Sequence, residues 1–161
     1  MTTTHTHCQL LGSVLNRELN DDECLVVGDL GAIRELQDDE ALIEEGKVDN
    51  QLHVLIDGHL AVMRQVGEGE WVTLHVLKSG ELAGELGFID GQPHSATLRA
   101  MGPTRVFSLE REKFESLINT RPALVYRVMR AIVRGVHVTL RRMNAQQIEL
   151  TNYITKEHGR Y

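Results

Sequence analysis

The chain has 161 residues, with 17 basic and 23 acidic side chains and a formal net charge of -6. That length supports one well-buried core with an extension but not two comfortable domains, and the charge argues against broad electrostatic attraction to nucleic acid or an anionic membrane. Apolar runs are only a few residues long and the N-terminus lacks a hydrophobic segment, so neither a signal peptide nor a membrane span is expected and the chain reads as cytoplasmic.

Residues 1–6 form a Thr/His-rich polar start, expected to be disordered. His5, His7 and Cys8 could catch a stray metal, but no fourth ligand stands at a sensible spacing, so no metal site is expected. The two cysteines, Cys8 and Cys24, form no CxxC pair and are read as reduced thiols. Leu10, Leu11, Val14 and Leu15 recur at helical spacing within a short helix over residues 8–19. Asn20, followed three residues later by Glu23, forms a capping-box signature for a second helix running toward Gly28 or Gly31.

From Ile33 the apolar period changes to two, with glycine or acidic turns between short segments, which predicts a β-roll or barrel. Leu42 and Ile43 end one strand. Leu52, Val54 and Ile56 alternate inward before Asp57-Gly58, read as a hairpin turn, and Leu60 and Val62 continue beyond it. After the polar turn Gly67-Glu68-Gly69-Glu70, Val72, Leu74 and Val76 alternate and leave Trp71, Thr73 and His75 on the other face. Ala96, Leu98, Val106, Phe107 and Leu109 belong to the last strands.

Between these strands, Gly84 to Thr97 packs a carboxylate, glycines, a proline and a histidine into one short crossing. Glycines let backbone N–H groups approach a ligand closely, and a short helical turn over Leu86 to Asp90 would aim its positive end at an anion. A carboxylate at the same turn cannot hold phosphate but can accept from a ribose hydroxyl beside it. Sugar and phosphate together suggest a nucleotide.

Gly84-Glu85-Leu86, then Pro93, then Ser95-Ala96-Thr97 resembles, without a gap, the phosphate-binding cassette of cyclic nucleotide-binding domains, whose pattern is Gly-Glu-Leu/Ile-Ala, a short apolar helix, then Pro-Arg-Ala/Ser-Ala-Thr. The resemblance covers about residues 20 to 140. It implies an α+β, mainly β fold: a double-stranded β-helix, or jelly-roll-like β-roll, with flanking helices and a long C-terminal helix. It also implies that Glu85 accepts from the ribose 2′-hydroxyl, while backbone amides around Gly84 and Leu86 and the Ser95 hydroxyl hold the cyclic phosphate. His94 stands where the family carries the arginine that pairs with that phosphate. Histidine offers one donor and is charged only below a pKa of about 6.5, so binding through it would be weaker and pH-dependent. Ala83 replaces an aromatic residue often found before Gly-Glu in the family.

Beyond Glu110 the period returns to helical, with Phe114, Leu117 and Ile118 in a short helix and Pro122 in the first turn of a long one. Val125, Met129, Ile132, Val136, Leu140, Met143, Leu150 and Ile154 recur at three- and four-residue steps, with Gln147 in one slot; the stripe is core or a helix-pairing seam. It resembles the dimerising C-helix of catabolite-activator-like regulators and implies a homodimer. Counting from Ser95, Val138-Thr139 falls on that helix's Val-Thr pair, whose threonine meets the purine. Arg127, Arg130, Arg134, Arg141 and Arg142 read as a solvated or phosphate-facing side.

In those regulators a helix-turn-helix domain follows, whereas Thr151 to Tyr161 is too little for one, so no direct DNA binding is expected. A metal cupin needs a His-x-His pair inside its barrel, but His5-Thr6-His7 lies in the tail and no nucleophile–base pair is legible, so no enzyme is expected. The expected organisation is a tail and short helix over 1–19, a cyclic nucleotide-binding-like roll over 20–121, and a dimerisation helix with its tail over 122–161. The function implied is a sensor that binds a cyclic purine mononucleotide such as cyclic AMP, needs no cofactor, and signals through the C-helix to an unidentified output protein. The alternative is a ligand-free dimerising scaffold with a degenerate site.

Overall fold

The structure, a computed structural model, describes residues 14–158. The polar start and the histidine–cysteine cluster at 5–8 lie outside the described residues, as does the first half of the first expected helix. Its described end is helical over residues 14–16 and then turns. Helix α1 (Asp21–Leu30) begins at Asn20, whose side chain accepts from the Glu23 amide while the Glu23 carboxylate accepts from the Asn20 amide, the reciprocal cap that the sequence spells out. Gly31 ends it.

Eight strands follow in two antiparallel sheets. Strands β1 (Ala32–Leu36), β3 (Gln51–Asp57), β6 (Leu82–Ala83) and β8 (Thr104–Glu110) form one sheet in the order β1-β8-β3-β6. Strands β2 (Ala41–Ile43), β4 (Leu60–Val66), β5 (Glu70–Leu77) and β7 (Thr97–Ala100) form the other in the order β2-β7-β4-β5. Leu36, Ile43, Leu55, Leu60, Leu98 and Val106 fill the space between the sheets. A second cluster joins Leu52, Val54, Phe107 and Leu109 to the helices, through Val27 of α1, Phe88, Phe114 and the start of the last helix. Cys24 is a buried thiol within it.

Three expectations about the strands need correction. Strand β3 does not alternate simply inward: Leu52, His53, Val54 and Leu55 are all buried, because helices cover one face of this central strand and the second sheet covers the other. Asp57-Gly58 does not close a hairpin between paired strands, since β3 pairs with β6 and β8 while β4 pairs with β5 and β7; the turn carries the chain from one sheet to the other. Val72 and Leu74 are exposed, because the edge strand β5 is uncovered on both faces from Glu70 to Leu74; a register shift between Val62 and Met63 also interrupts its pairing with β4. Trp71 is exposed too, with the Arg99 guanidinium 5.6 Å above its ring.

Helix α2 (Glu85–Asp90) lies between β6 and β7, and α3 (Arg111–Glu115) follows β8. Helix α4 (Pro122–His158) has 37 residues and a length of about 55 Å at 1.5 Å per residue. Leu124, Val128, Ala131 and Ile132 bury its first turns, whereas no residue from 133 to 156 is buried. The arginines of this first part are not simply solvated. Arg127 pairs with Glu23, and Arg130 and Arg134 both pair with Glu18, whose side chain is only 2% exposed. A carboxylate so far from water requires such partners, and the three arginines tie α4 to the N-terminal helical segment. No helix among the described residues is long and apolar enough to cross a membrane.

Candidate functional site

The cassette is built where β6 gives way to α2. Gly84 caps α2 with φ of +72°, in the left-handed region that an L side chain rarely adopts, and a Cβ there would lie 3.0 Å from the Gln51 carbonyl oxygen. The chain can turn this sharply against β3 only with glycine. Glu85 opens the helix and is half-buried; desolvation pushes its carboxyl up, partly offset by its own backbone amide and by the nearby His94. Leu86 is exposed, Phe88 plugs the core against Phe114, and Gly91 ends the helix.

The return limb is pinned by backbone bonds from His94 N–H to the Lys47 carbonyl at 2.9 Å and from Gly46 N–H to the His94 carbonyl at 2.8 Å. Ser95 is exposed, and the Thr97 hydroxyl accepts from the Glu45 amide. The His94 ring turns inward, with only 8% of the side chain exposed. Its Nε2 lies 2.7 Å from Asp49 Oδ1, and its Cε1–Nδ1 edge sits against Gly87, where a Cβ would be 3.0 Å from Cε1 and 3.3 Å from Nδ1.

Asp49 is shared. Its Oδ2 lies 3.0 Å from Nε2 of His53, which is wholly buried, and Nδ1 of His53 lies 2.7 Å from the Ser108 hydroxyl. A chain of side chains thus runs from the cassette through Asp49 and β3 into β8. Burial by itself would raise the Asp49 carboxyl, but the hydrogen bonds from His53 and His94 and the His53 charge outweigh it and hold the group at about 2. Asp49 is therefore ionised and only accepts.

The structure places Gly84, Glu85, Leu86, His94 and Ser95 in one loop-and-helix unit; Thr139 belongs to another element, α4, and is partly buried. Three residues further along α4, Arg142 Nη1 donates to His75 Nε2 of the roll at 2.7 Å. Sequence reasoning missed Asp49, His53 and Ser108. The one available signal was His53 itself, a polar residue out of phase with Leu52 and Val54 in a strand that proves to be buried on both faces. An open groove of about 730 Å³, lined by Glu44, Glu45, Trp71 and Arg99, shares only Thr97 with the cassette and lies on the outer face of the second sheet.

The chain matches the cyclic nucleotide-binding domain family over residues 33–121. It is 31% identical over 117 residues to the cAMP-activated global transcriptional regulator CRP of Salmonella typhimurium, a match that covers 71% of this chain and 56% of the relative. The chain therefore spans little more than half the length of that relative. Among solved structures it resembles a cyclic nucleotide-binding domain from Methylobacillus flagellatus, with a TM-score of 0.83 at 20% identity over 91% of this chain and 84% of that one. It also resembles the catabolite activator protein of Thermus thermophilus, with a TM-score of 0.67 at 23% identity over 88% and 63%. The fold, the cassette and the extent of the match together make this chain a member of the cyclic nucleotide-binding domain family.

Proposed function

We propose that the chain is a cytoplasmic sensor that binds a cyclic purine mononucleotide, cyclic AMP first among candidates, at the cassette of Gly84, Glu85, Leu86, His94 and Ser95. The observation that carries this reading is the intact Gly84-Glu85 turn, with its left-handed glycine and half-buried carboxyl group, inside a chain of this family. Glu85 accepts from the ribose 2′-hydroxyl, the amides of the turn and Ser95 hold the phosphate, and Thr139 of α4 meets the purine. Binding then shifts the population of α4 orientations, and an output protein reads the shift. Calorimetry with cyclic AMP and cyclic GMP tests the reading: Glu85→Ala weakens binding, and 2′-deoxy ligand loses little further affinity in that background because the shared contact is already gone. His94→Arg supplies a permanent forked donor and tightens binding on the order of tenfold, since a charge-assisted contact contributes about 1.5–3 kcal/mol.

The same reading makes the sensor a homodimer through α4. Within this stripe Ile132 is buried and Val125 and Met129 pack against the same core, while Val136, Leu140, Met143, Leu150 and Ile154 carry the face on beyond the buried first turns. Leu140, Met143, Leu150 and Ile154 are 49–60% exposed in the single chain, and alternating steps of three and four suit a helix-pairing seam. Light scattering should give twice the 18.1 kDa chain mass, and Val136→Glu should shift it toward monomer; a monomeric native chain sinks the seam.

A ligand-free scaffold remains the second reading. It is favoured by one observation, the turning of His94 inward onto Asp49 and Gly87. Absence of cyclic nucleotide binding at millimolar concentration by both the native chain and His94→Arg decides for it.

A further inference from the structure

The hydrogen bonds of Asp49 dictate which proton each histidine carries. An ionised carboxylate has no proton to give, so the 2.7 Å contact to His94 and the 3.0 Å contact to His53 both require N–H on Nε2. The Gln51 amide donates to the same carboxylate at 3.2 Å. Nδ1 of His53 lies 2.7 Å from the Ser108 hydroxyl, which can donate to it or accept from it, so both ring nitrogens of His53 are partnered. For His94 the consequence differs. Its single neutral-state proton is committed to Asp49, and the nitrogen left over, Nδ1, on the ring edge that rests against Gly87 of the cassette helix, carries a lone pair.

We propose that Asp49 is a positioning residue that makes anion binding at His94 conditional on proton uptake, by locking the neutral ring in the tautomer that cannot donate to a phosphate. A free imidazole could place its one proton toward the anion. Here it cannot without breaking the bond to Asp49, so a phosphate contact at His94 requires the doubly protonated ring. The inference rests on the cyclic nucleotide reading and deepens it: the ligand is a phosphate monoanion that arrives together with a proton. The groups facing His94 are Asp49, ahead of β3, Glu85 on α2 and, through Asp49, His53 on β3. Glu85 is pushed up by burial, and ionisation of Glu85 to accept a ribose hydroxyl would release a proton, the opposite sign.

Calorimetry with cyclic AMP in two buffers of different ionisation enthalpy counts the protons exchanged. For the native chain, uptake counted relative to His94→Arg, so that any release from Glu85 is common to both, should rise with pH toward one proton per ligand, with affinity falling by about tenfold per pH unit where uptake is complete. In Asp49→Asn an amide N–H can face Nε2 of His94, Nδ1 can then carry the proton, and both the uptake and the pH slope should flatten. His94→Arg should bind with no uptake at all, which keeps the test open if Asp49→Asn folds poorly. Undiminished uptake in His94→Arg, or in a folded Asp49→Asn, overturns the proposal, as does a native chain that binds without uptake. Long-range proton–nitrogen NMR of the ligand-free protein at pH 8 separates this inference from the reading beneath it. His94 and His53 should both show Nε2–H. Binding with His94 in the Nδ1–H form sinks the inference alone, whereas correct tautomers with no binding at pH 5.5 or 8 sink it together with the cyclic nucleotide reading.

Discussion

Gly87→Ala puts opposing forces at the centre of the cassette, and their balance depends on His94. Gly87 lies inside helix α2, where alanine is favoured over glycine by about 0.8–1 kcal/mol. Against that, the new methyl would stand 3.0 Å from His94 Cε1, 3.3 Å from Nδ1 and 3.3 Å from the Gln92 carbonyl oxygen. The ring cannot swing away cheaply, because its backbone is bonded on both sides to residues 46–47 and Nε2 is held by Asp49 at 2.7 Å. Crowding of this kind costs about 1–3 kcal/mol, so Gly87→Ala alone should be neutral to about 2 kcal/mol destabilising. In a His94→Ala background the two closest ring contacts vanish, only the Gln92 oxygen remains near, and the same methyl should stabilise by up to about 1 kcal/mol. Urea unfolding of the native chain, both single variants and the double variant closes the cycle, with an expected coupling of about 1–3 kcal/mol. Equal effects of Gly87→Ala in both backgrounds, within about 0.5 kcal/mol, would refute the inward-turned ring.

Asp49, held at about 2 against an ordinary 3.8, contributes stability that is fully present above pH 3.8 and lost as the pH falls through about 2. The shift corresponds to about 2.4 kcal/mol, which solvent screening of this half-buried group reduces to about 1 kcal/mol. Thermal melts of Asp49→Asn should therefore fall less steeply in acid than those of the native chain, and parallel curves would count against the shared carboxylate. Replacing both Arg130 and Arg134 by alanine strands the Glu18 carboxylate, 2% exposed, and should lower the urea midpoint, with partial recovery on adding Glu18→Gln. No recovery would mean that packing by the arginine stems matters and the charge does not. Burial first, and the Arg142 charge second, lower His75 below its ordinary 6.5; a neutral Nε2 accepts from Arg142, so this tie between β5 and α4 is present above pH 6.5 and lost as the pH falls through the lowered value. Hydrogen exchange around residues 139–146 should speed up in acid for the native chain and be fast already at pH 7 in Arg142→Ala; an acid-insensitive α4 would remove the tie.

Local rules carried much of the fold into the sequence. The Asn20–Glu23 cap, the glycine turns, the period-two runs and Pro122 each depend on residues a few positions apart, and the structure places α1, the strand succession and the start of α4 accordingly. The cassette was legible for the same reason: Gly84 to Thr97 is one continuous segment whose turn and helix follow from its own glycines and spacing.

Tertiary structure alone decided what lies across a distance in the chain. Which face of β3 is buried, and that both are, depends on a second sheet and on helices that local alternation cannot see. The partner of Asp57-Gly58 depended on which strands enter which sheet. The arginines of α4 look solvated in sequence because their carboxylates, Glu18 and Glu23, come more than a hundred residues earlier. His94 was visible as a departure from a pattern, but its direction was not: Asp49, 45 residues away, takes the ring nitrogen, and His53 and Ser108 reach it from two adjacent strands. A hydrogen bond between side chains is fixed by the geometry of close approach, which local spacing does not encode, so the residue identities were given by the chain while their pairing was set only by the packed roll.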